Sequence, residues 1–215
     1  MNIVMLGPPG AGKGTYASRI SAKYGLTVIS PGEIFRHEMD KKSALGEKVK
    51  KYLDAGDLVP DELTIEVLKK RLSIIKNKGI IFDGFPRDVK QAEVLDEIME
   101  KRGTQIDYVL FINTPKNIVV DRIGGRRICK KCGAIYHIPT MPPKVPGVCD
   151  KCGKALYQRE DDRPEIIAER FDEYEKETRP LINFYKKRKI LCEIDGTKDI
   201  SENMPLIAKI LEEEL

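Results

Sequence analysis

No stretch of this chain constrains its fold as tightly as residues 1–24. An apolar run, Asn2-Ile-Val-Met-Leu6, leads into Gly7-Pro-Pro-Gly-Ala-Gly-Lys-Gly-Thr15, and an amphipathic segment continues to Tyr24. The order reads as buried strand, glycine-rich loop, helix. Glycines let successive backbone N–H groups turn toward one anion, and a helix beginning near Lys13 points its positive end at the same place. Gly10, Ala11, Gly12, Lys13, Gly14 and Thr15 would wrap a phosphate chain, with Lys13 reaching its β- and γ-phosphates. The competing reading is a plain glycine turn; the strand before the string and the helix after it favour the phosphate loop. Gly14 stands where most such loops carry a metal-binding Ser or Thr, and the hydroxyl comes one residue later, at Thr15. The string alone therefore does not place a hydroxyl on Mg²⁺.

Downstream, short apolar runs alternate with helical patterns. Strands are predicted at 27–29, 79–82 (closed by Asp83), 108–112 and 191–194. At Ser30-Pro31 a helix can begin with Pro in its first turn, and helices are predicted at 33–39, at 44–53 with Gly56 as a stop, and from Pro60 onward with Leu63, Val67, Leu68 and Leu72 at helical spacing. Others follow at 88–101, 116–123, 164–188 with a bend at Pro180, and 201–213. This alternation calls for an α/β fold: a five-stranded parallel sheet flanked by helices on both faces. It breaks between Arg126 and Arg163, where the chain is rich in Gly, Pro and Cys and lacks helical periodicity. That span reads as an insertion with a small fold of its own.

The insertion carries Cys129-x-x-Cys132 and Cys149-x-x-Cys152, sixteen residues apart, with Gly133 and Gly153 after each pair. Four thiolates at this spacing suit one tetrahedral Zn²⁺; a disulfide pair or a redox dithiol is the alternative. With every position filled by protein, no activated water fits, so the metal would be structural and tie a loop too short to hold a core. A nucleic-acid-binding zinc ribbon competes, but Tyr136 and Tyr157 are the loop's only Phe, Tyr or Trp residues, and no alternation of basic and aromatic residues builds a stacking platform. The fifth cysteine, Cys192, sits in a strand pattern and reads as a small core residue. Lys and Arg total 38 against 34 Asp and Glu, too slight an excess to call for nucleic acid or membrane. No run is long enough to span a bilayer and no basic leader opens the chain, so a soluble cytoplasmic protein with reduced cysteines is expected.

A third signal is Phe82-Asp-Gly-Phe-Pro-Arg87 at the end of the third strand. Asp83 at a strand's carboxyl end, facing the phosphate loop, is placed to hold Mg²⁺ through water; the bland reading is an Asp-Gly turn. Arg87 follows on the same edge. Arg36, Arg122, Arg126, Arg159 and Arg170 gather where helices meet irregular segments. Any one of them alone is more often a solvated surface charge. Arg126 and Arg159 flank the insertion, however, so its closure would bring two planar, multi-donor heads onto a polyphosphate.

From end to end the chain resembles the adenylate kinases of the long bacterial form with a zinc-binding lid. The resemblance rests on the loop at residues 7–15 with its Gly-Thr ending, on Asp83-Gly-Phe-Pro-Arg87 with Gln91, on Asp121-Arg122-Ile-Gly-Gly-Arg126-Arg127, and on Gln158-Arg159-Glu-Asp-Asp162. In that family Gly14 is normal. The resemblance implies a core at residues 1–29, 60–125 and 164–215, an AMP-binding cover at 30–59 and a lid at 126–163 that closes over ATP. By position, Arg36, Arg87 and Gln91 would hold AMP, with Pro31, Asp57, Leu58, Val59, Gly84, Phe85 and Pro86 around its base. Residues 10–15 would hold the ATP phosphates. Arg122 would pack on the adenine of ATP, assisted by Ile135, Tyr136 and Lys198. Lys13, Arg87, Arg126, Arg159 and Arg170 would clamp the transferring phosphoryl group.

The implied reaction is reversible transfer of the γ-phosphoryl group of Mg·ATP to AMP, giving two ADP, by a monomer and without a covalent intermediate. His37 and His137 are read as structural or solvated. A GTPase-like switch would need a guanine-reading Asn-Lys-x-Asp, and Asn77-Lys78-Gly79-Ile80 lacks the aspartate. A zinc-ribbon nucleic-acid-binding NTPase and a kinase for another nucleoside monophosphate, CMP or UMP, are the other rivals. Pro31 departs from the family, in which a threonine whose hydroxyl helps to read the adenine of AMP commonly stands.

Overall fold

The computed structural model describes residues 1–55, 57–75 and 79–212. Strand β1 (Asn2–Leu6) is buried along its whole length, which is why it reads as an unbroken apolar run rather than an alternating one. It lies at the centre of a parallel sheet, paired with β3 (Ile80–Asp83) on one side and β4 (Tyr108–Asn113) on the other. Outside these lie β2 (Thr27–Ile29) and β8 (Leu191–Asp195), giving the order β2-β3-β1-β4-β8. The chain steps outward to β2, returns through β3, then crosses to the other side of β1, so the strand order reverses at β1. In open α/β sheets the crevice beyond the carboxyl ends of the strands at such a point receives the ligand.

Alternate side chains of β1 enter different cores. Ile3 and Met5 pack with Ile20, Ile207 and Leu211, from α1 (Lys13–Tyr24) and α9 (Ile200–Glu212). Val4 and Leu6 pack with Leu68, Leu95 and Leu181, from α4 (Asp61–Ile74), α5 (Val89–Lys101) and α8 (Pro180–Lys187). Side chains that are fully buried, as these are, each contribute about 1.5–3 kcal/mol relative to exposure, so the two layers hold β1 and the loop after it rigidly.

Two smaller units stand beside this core. In the first, α2 (Pro31–Asp40) and α3 (Ala44–Ala55) close over Phe35, Val49, Val59 and Val67. Helix α2 begins at Pro31, ahead of the helical pattern at 33–39, with the proline in its first turn, where a missing N–H leaves nothing unsatisfied. In the second, β5 (Arg126–Cys129) follows α6 (Lys116–Gly124) and pairs antiparallel with β6 (Ile135–His137) and β7 (Leu156–Tyr157).

The helix predicted over 164–188 is a composite: α7 (Pro164–Glu173), a π-helical turn at Tyr174–Thr178, then α8. Pro180 has no N–H to return to the preceding turn, and the amide of Arg179 reaches past it to the Tyr174 carbonyl at 2.8 Å. The chain widens by one residue where a bend was expected. Strand β8 runs one residue further than predicted, to Asp195. The stop at Gly56, the Asn77-Lys78 pair and the end of the last helix at residue 213 lie outside the described residues. Among the described residues no helix is long and apolar enough to cross a membrane.

Candidate active site

The glycine-rich loop leaves the carboxyl end of β1 and delivers its amides to the start of α1. Gly12 takes the N-cap position in the left-handed region, and no side chain caps the helix, so the orphan amides of the first turn remain for an anion. Gly10 has φ +81°, and a Cβ there would stand 2.6 Å from Cγ1 of Ile123; only glycine fits the loop against α6. Lys13 curls back over the loop, its Nζ donating to the carbonyls of Gly7 and Pro8 at 2.8 Å each. Burial pulls this ammonium down to about 8, with Asp83 opposing and Arg87, Arg170 and Arg126 reinforcing the fall.

That crowd of cations comes from distant parts of the chain. A cavity at the carboxyl edge of the sheet is lined by Lys13, Arg87, Arg170, Leu58, Gly84 and Tyr174. Arg87 arrives on the turn after β3, its Nε donating to the Gly84 carbonyl at 3.0 Å. Its backbone amide donates to Gln91 Oε1 at 2.9 Å, while Gln91 Nε2 donates to Asp61 at 2.6 Å. Asp88 caps α5 by accepting from the Gln91 amide at 2.8 Å, so the turn bearing Arg87 is tied to the start of a helix.

The remaining arginines are held by carboxylates. Asp162 is fully buried and accepts from Arg126, whose Nε lies 2.9 Å away, and from Arg170 at 3.3 Å. Arg170 also bonds the Asp161 carbonyl at 2.9 Å and its carboxylate at 3.0 Å. Glu33 on α2 bridges Arg36, at 2.7 Å, and Arg159 from the far side of the cleft. The span that carries the small sheet and the α2–α3 unit therefore meet through Glu33. Burial and like-charge neighbours pull Arg159 and Arg170 down to about 10. For Glu33 and Asp161, burial pushes the carboxyl up, but arginines on both sides outweigh it and the net shift is downward. Unused donors persist: Nε of Arg36 and Nε of Arg159 are buried without a partner. Buried donors left unpaired are costly, about 1–3 kcal/mol each, and a phosphate entering the cleft would satisfy them.

The four paired cysteines converge. Their sulfurs all lie within 4.8 Å of one another, with Cys129–Cys152 at 3.4 Å and Cys132–Cys149 at 3.5 Å. Thiolates about 2.3 Å from one tetrahedral ion stand roughly 3.8 Å apart, and disulfide sulfurs only ~2.05 Å, so the spacing is that of a metal site. Each knuckle closes alike: the amides of Gly133 and Gly153 bond the carbonyls of Cys129 and Cys149 at 3.0 and 2.8 Å.

A family model for adenylate kinase matches residues 5–190. The chain belongs to the adenylate kinase family. It is 50% identical over 212 residues to the adenylate kinase of Clostridium tetani, covering 98% of each chain. It is 49% identical over 213 residues to that of Archaeoglobus fulgidus, covering 99% of this chain and 98% of that one. The adenylate kinase of Caldanaerobacter subterraneus is 48% identical over 212 residues, 98% and 96% of the two chains.

Several residues expected by resemblance to this kinase family do not line the cavity. Phe85 and Val59 are buried in apolar clusters, and Asp57 is exposed. Pro86 lines the cavity, and Pro31 is buried at the start of α2. Arg122 stands in the last turn of α6, and Lys198 in the exposed loop after β8, its amide 3.4 Å from the Asp195 carbonyl. Ile135 brings its Cδ1 within 3.7 Å of where a Cβ on Gly14 would stand, so β6 of the lid lies over the phosphate loop. Tyr136 turns its side chain away toward the cysteines. Sequence reasoning assigned no role to the counter-anions Glu33, Asp161 and Asp162. The Glu33–Arg36 spacing on one helix was a signal for the first; nothing local pairs Asp162 with Arg126, 36 residues away.

Proposed function

We propose that the cleft carries out the family's reaction, reversible transfer of the terminal phosphoryl group of ATP to AMP giving two ADP, with the residues in the following roles. The loop from Gly10 to Thr15 wraps the ATP phosphates, and Arg122, the backbone of Ile135 and Tyr136, and the Lys198 loop hold its adenine. Arg36, Arg87 and Gln91 hold AMP, whose base lies against Pro31 and the backbone at Asp57, Leu58, Val59, Gly84, Phe85 and Pro86. Lys13, Arg87, Arg126, Arg159 and Arg170 converge on the group in transit. What carries this reading is the convergence of these cations, three of them lining one cavity at the carboxyl ends of the strands. The transfer needs little covalent chemistry from the protein, and positioning with charge neutralisation supplies the acceleration.

The core spans residues 1–29, 60–125 and 164–215, the AMP-binding cover 30–59 and the lid 126–163. Closure of the lid excludes water that would otherwise accept the phosphoryl group. Mg²⁺, which adenylate kinases use with ATP, spreads the charge of its phosphates. Asp83 fits it: burial pushes this carboxyl up against the opposing pull of Lys13, so a second cation is welcome. Its Oδ2 lies 3.3 Å from where a Cβ on Gly14 would stand, which leaves that position tight for a serine or threonine. The four thiols take one structural Zn²⁺ rather than another ion, because four soft ligands in a closed tetrahedral set suit it. The protein works as a cytoplasmic monomer. Production of ADP measured with AMP, CMP, UMP and GMP as acceptors tests the substrate; equal or better use of CMP or UMP would overturn AMP.

Pro31 gives a sharper test. Proline offers neither hydroxyl nor N–H to a base, and one neutral hydrogen bond is worth about 0.5–1.5 kcal/mol, roughly threefold to tenfold in affinity. Pro31→Thr should therefore lower KM for AMP by that factor, leave KM for ATP unchanged, and reduce stability by about 0.4–1 kcal/mol as the unfolded chain gains freedom. Steady-state kinetics with each nucleotide varied in turn checks this.

Lys13 predicts a proton linkage. In the free protein it titrates at about 8, and a polyphosphate beside it would raise that value. At pH 8.5 roughly three-quarters of a group with this pKa is neutral, so ATP binding should draw in protons and weaken as pH rises above 8. Titration calorimetry in two buffers of different ionisation enthalpy reads the uptake directly. Zero uptake at pH 8.5 would show either that Lys13 is already charged in the free protein or that it does not meet the phosphates.

A further inference from the structure

The side chain of Tyr136 is unused by the phosphoryl transfer, although its strand faces the nucleotide cleft. Strand β6 presents alternate residues to opposite sides. Ile135 leans over the phosphate loop, and His137 lies against Gly125 at the end of α6, its Nε2 close to where a Cβ there would stand. Tyr136, between them, points the other way and is 7% exposed, packed among Cys129, Cys149 and Ala134. Its hydroxyl accepts from the backbone amide of Asp150 at 2.8 Å and lies 3.5 Å from Sγ of Cys149. An amide can only donate, so the phenolic proton is left for the sulfur. A thiolate ligand can only accept. The two contacts thus fix the direction of both hydrogen bonds.

We infer that Tyr136 is an outer partner of the metal: its phenol donates to the Cys149 thiolate and orients it, while its backbone belongs to the strand that covers the phosphate loop. The inference rests on the reading of the four thiols as a metal site. A buried thiolate carries charge that the metal alone does not fully neutralise, and a donor held in place by a backbone amide stabilises it without reorganisation. The Asp150 amide lies next to Cys149 in the chain, so hydroxyl, ligand and knuckle form one closed ring of contacts. Metal occupancy thereby sets the position of β6, and through β6 the cover over the phosphates.

The test is Tyr136→Phe, which keeps the ring in its packed place and removes only the donor. Two properties are read. Zn²⁺ affinity, by competition with a chromophoric chelator, should fall about 10–100-fold. In the Co²⁺-substituted protein the sulfur-to-metal charge-transfer band should move to lower energy, because a sulfur without its hydrogen bond gives up an electron more easily. Tyr157→Phe removes the other phenol of the same small sheet and should change neither. Affinity within twofold of wild type, an unmoved band, or equal changes in Tyr157→Phe would each overturn the inference. If the variant is purified with its lid unfolded, titrating metal into it still measures the affinity. Wild-type protein that takes up neither Zn²⁺ nor Co²⁺ would instead sink the metal site itself, and this inference with it.

Discussion

Lys13→Met is expected to lower kcat by at least about a hundredfold, ~2.7 kcal/mol or more of transition-state stabilisation, with the fold retained. The ammonium rests on the carbonyls of Gly7 and Pro8, two contacts that an anionic phosphate oxygen would outcompete because it adds a net opposite charge to the hydrogen bond. The side chain sits at the mouth of the cleft rather than in a core cluster, and Met matches its length. Its loss should therefore leave thermal unfolding within about 1–2 °C of wild type, the size of an ordinary surface substitution. Removal of the cation relieves repulsion from Arg87, Arg170 and Arg126 but takes from Asp83 its chief opposing charge, so activity lost with stability little changed is the expected signature. Near-normal turnover by the purified variant would sink the assignment of the cleft.

Cys132→Ser, or extraction of the metal by a strong chelator, is expected to destabilise the lid and then the activity. Cys129 ends β5, and Cys149 and Cys152 form the knuckle before β7, so one ion would tie the end of β5 to the turn that leads into β7. Among the described residues the apolar cluster around these cysteines adds Ala134, Tyr136 and Leu156, too little to fold without a staple. Cys132 itself is exposed, so its replacement removes a ligand without opening a cavity. If metal loss withdraws ~3 kcal/mol from the folded chain, Tm falls by roughly 6–12 °C at this length. Limited proteolysis should cut between residues 130 and 158 first, while the core stays intact. Arg126 and Arg159 lie at the two roots of the lid, so turnover falls as the lid frays even though neither arginine is altered. Metal analysis of protein purified without chelator decides the premise: one Zn²⁺ per chain is expected, and no metal or a coloured iron site would refute it.

The parts of this protein legible in its sequence are those whose physics is local. The glycine-rich loop is set by which backbone angles and close approaches a residue without a Cβ permits, and β1 by an apolar run that only a strand buried on both faces tolerates. Each Cys-x-x-Cys knuckle with its following glycine is likewise a few consecutive residues with one geometry. The start of α2 at Pro31 is local in the same way, because a proline that cannot continue a helix can still begin one. The π turn at Tyr174–Thr178 was missed because the effect of Pro180 was read as a bend, while neighbouring packing let the backbone absorb the missing donor by widening. Only the tertiary structure decided the strand order, the bridge of Glu33 between Arg36 and Arg159, the burial of Asp162 between Arg126 and Arg170, and the turning of Tyr136 toward the four cysteines. Each of these joins residues far apart in the chain. A charged side chain looks the same in sequence whether water or a buried partner will neutralise it, and the choice is made by which elements the two cores bring to the carboxyl edge of the sheet.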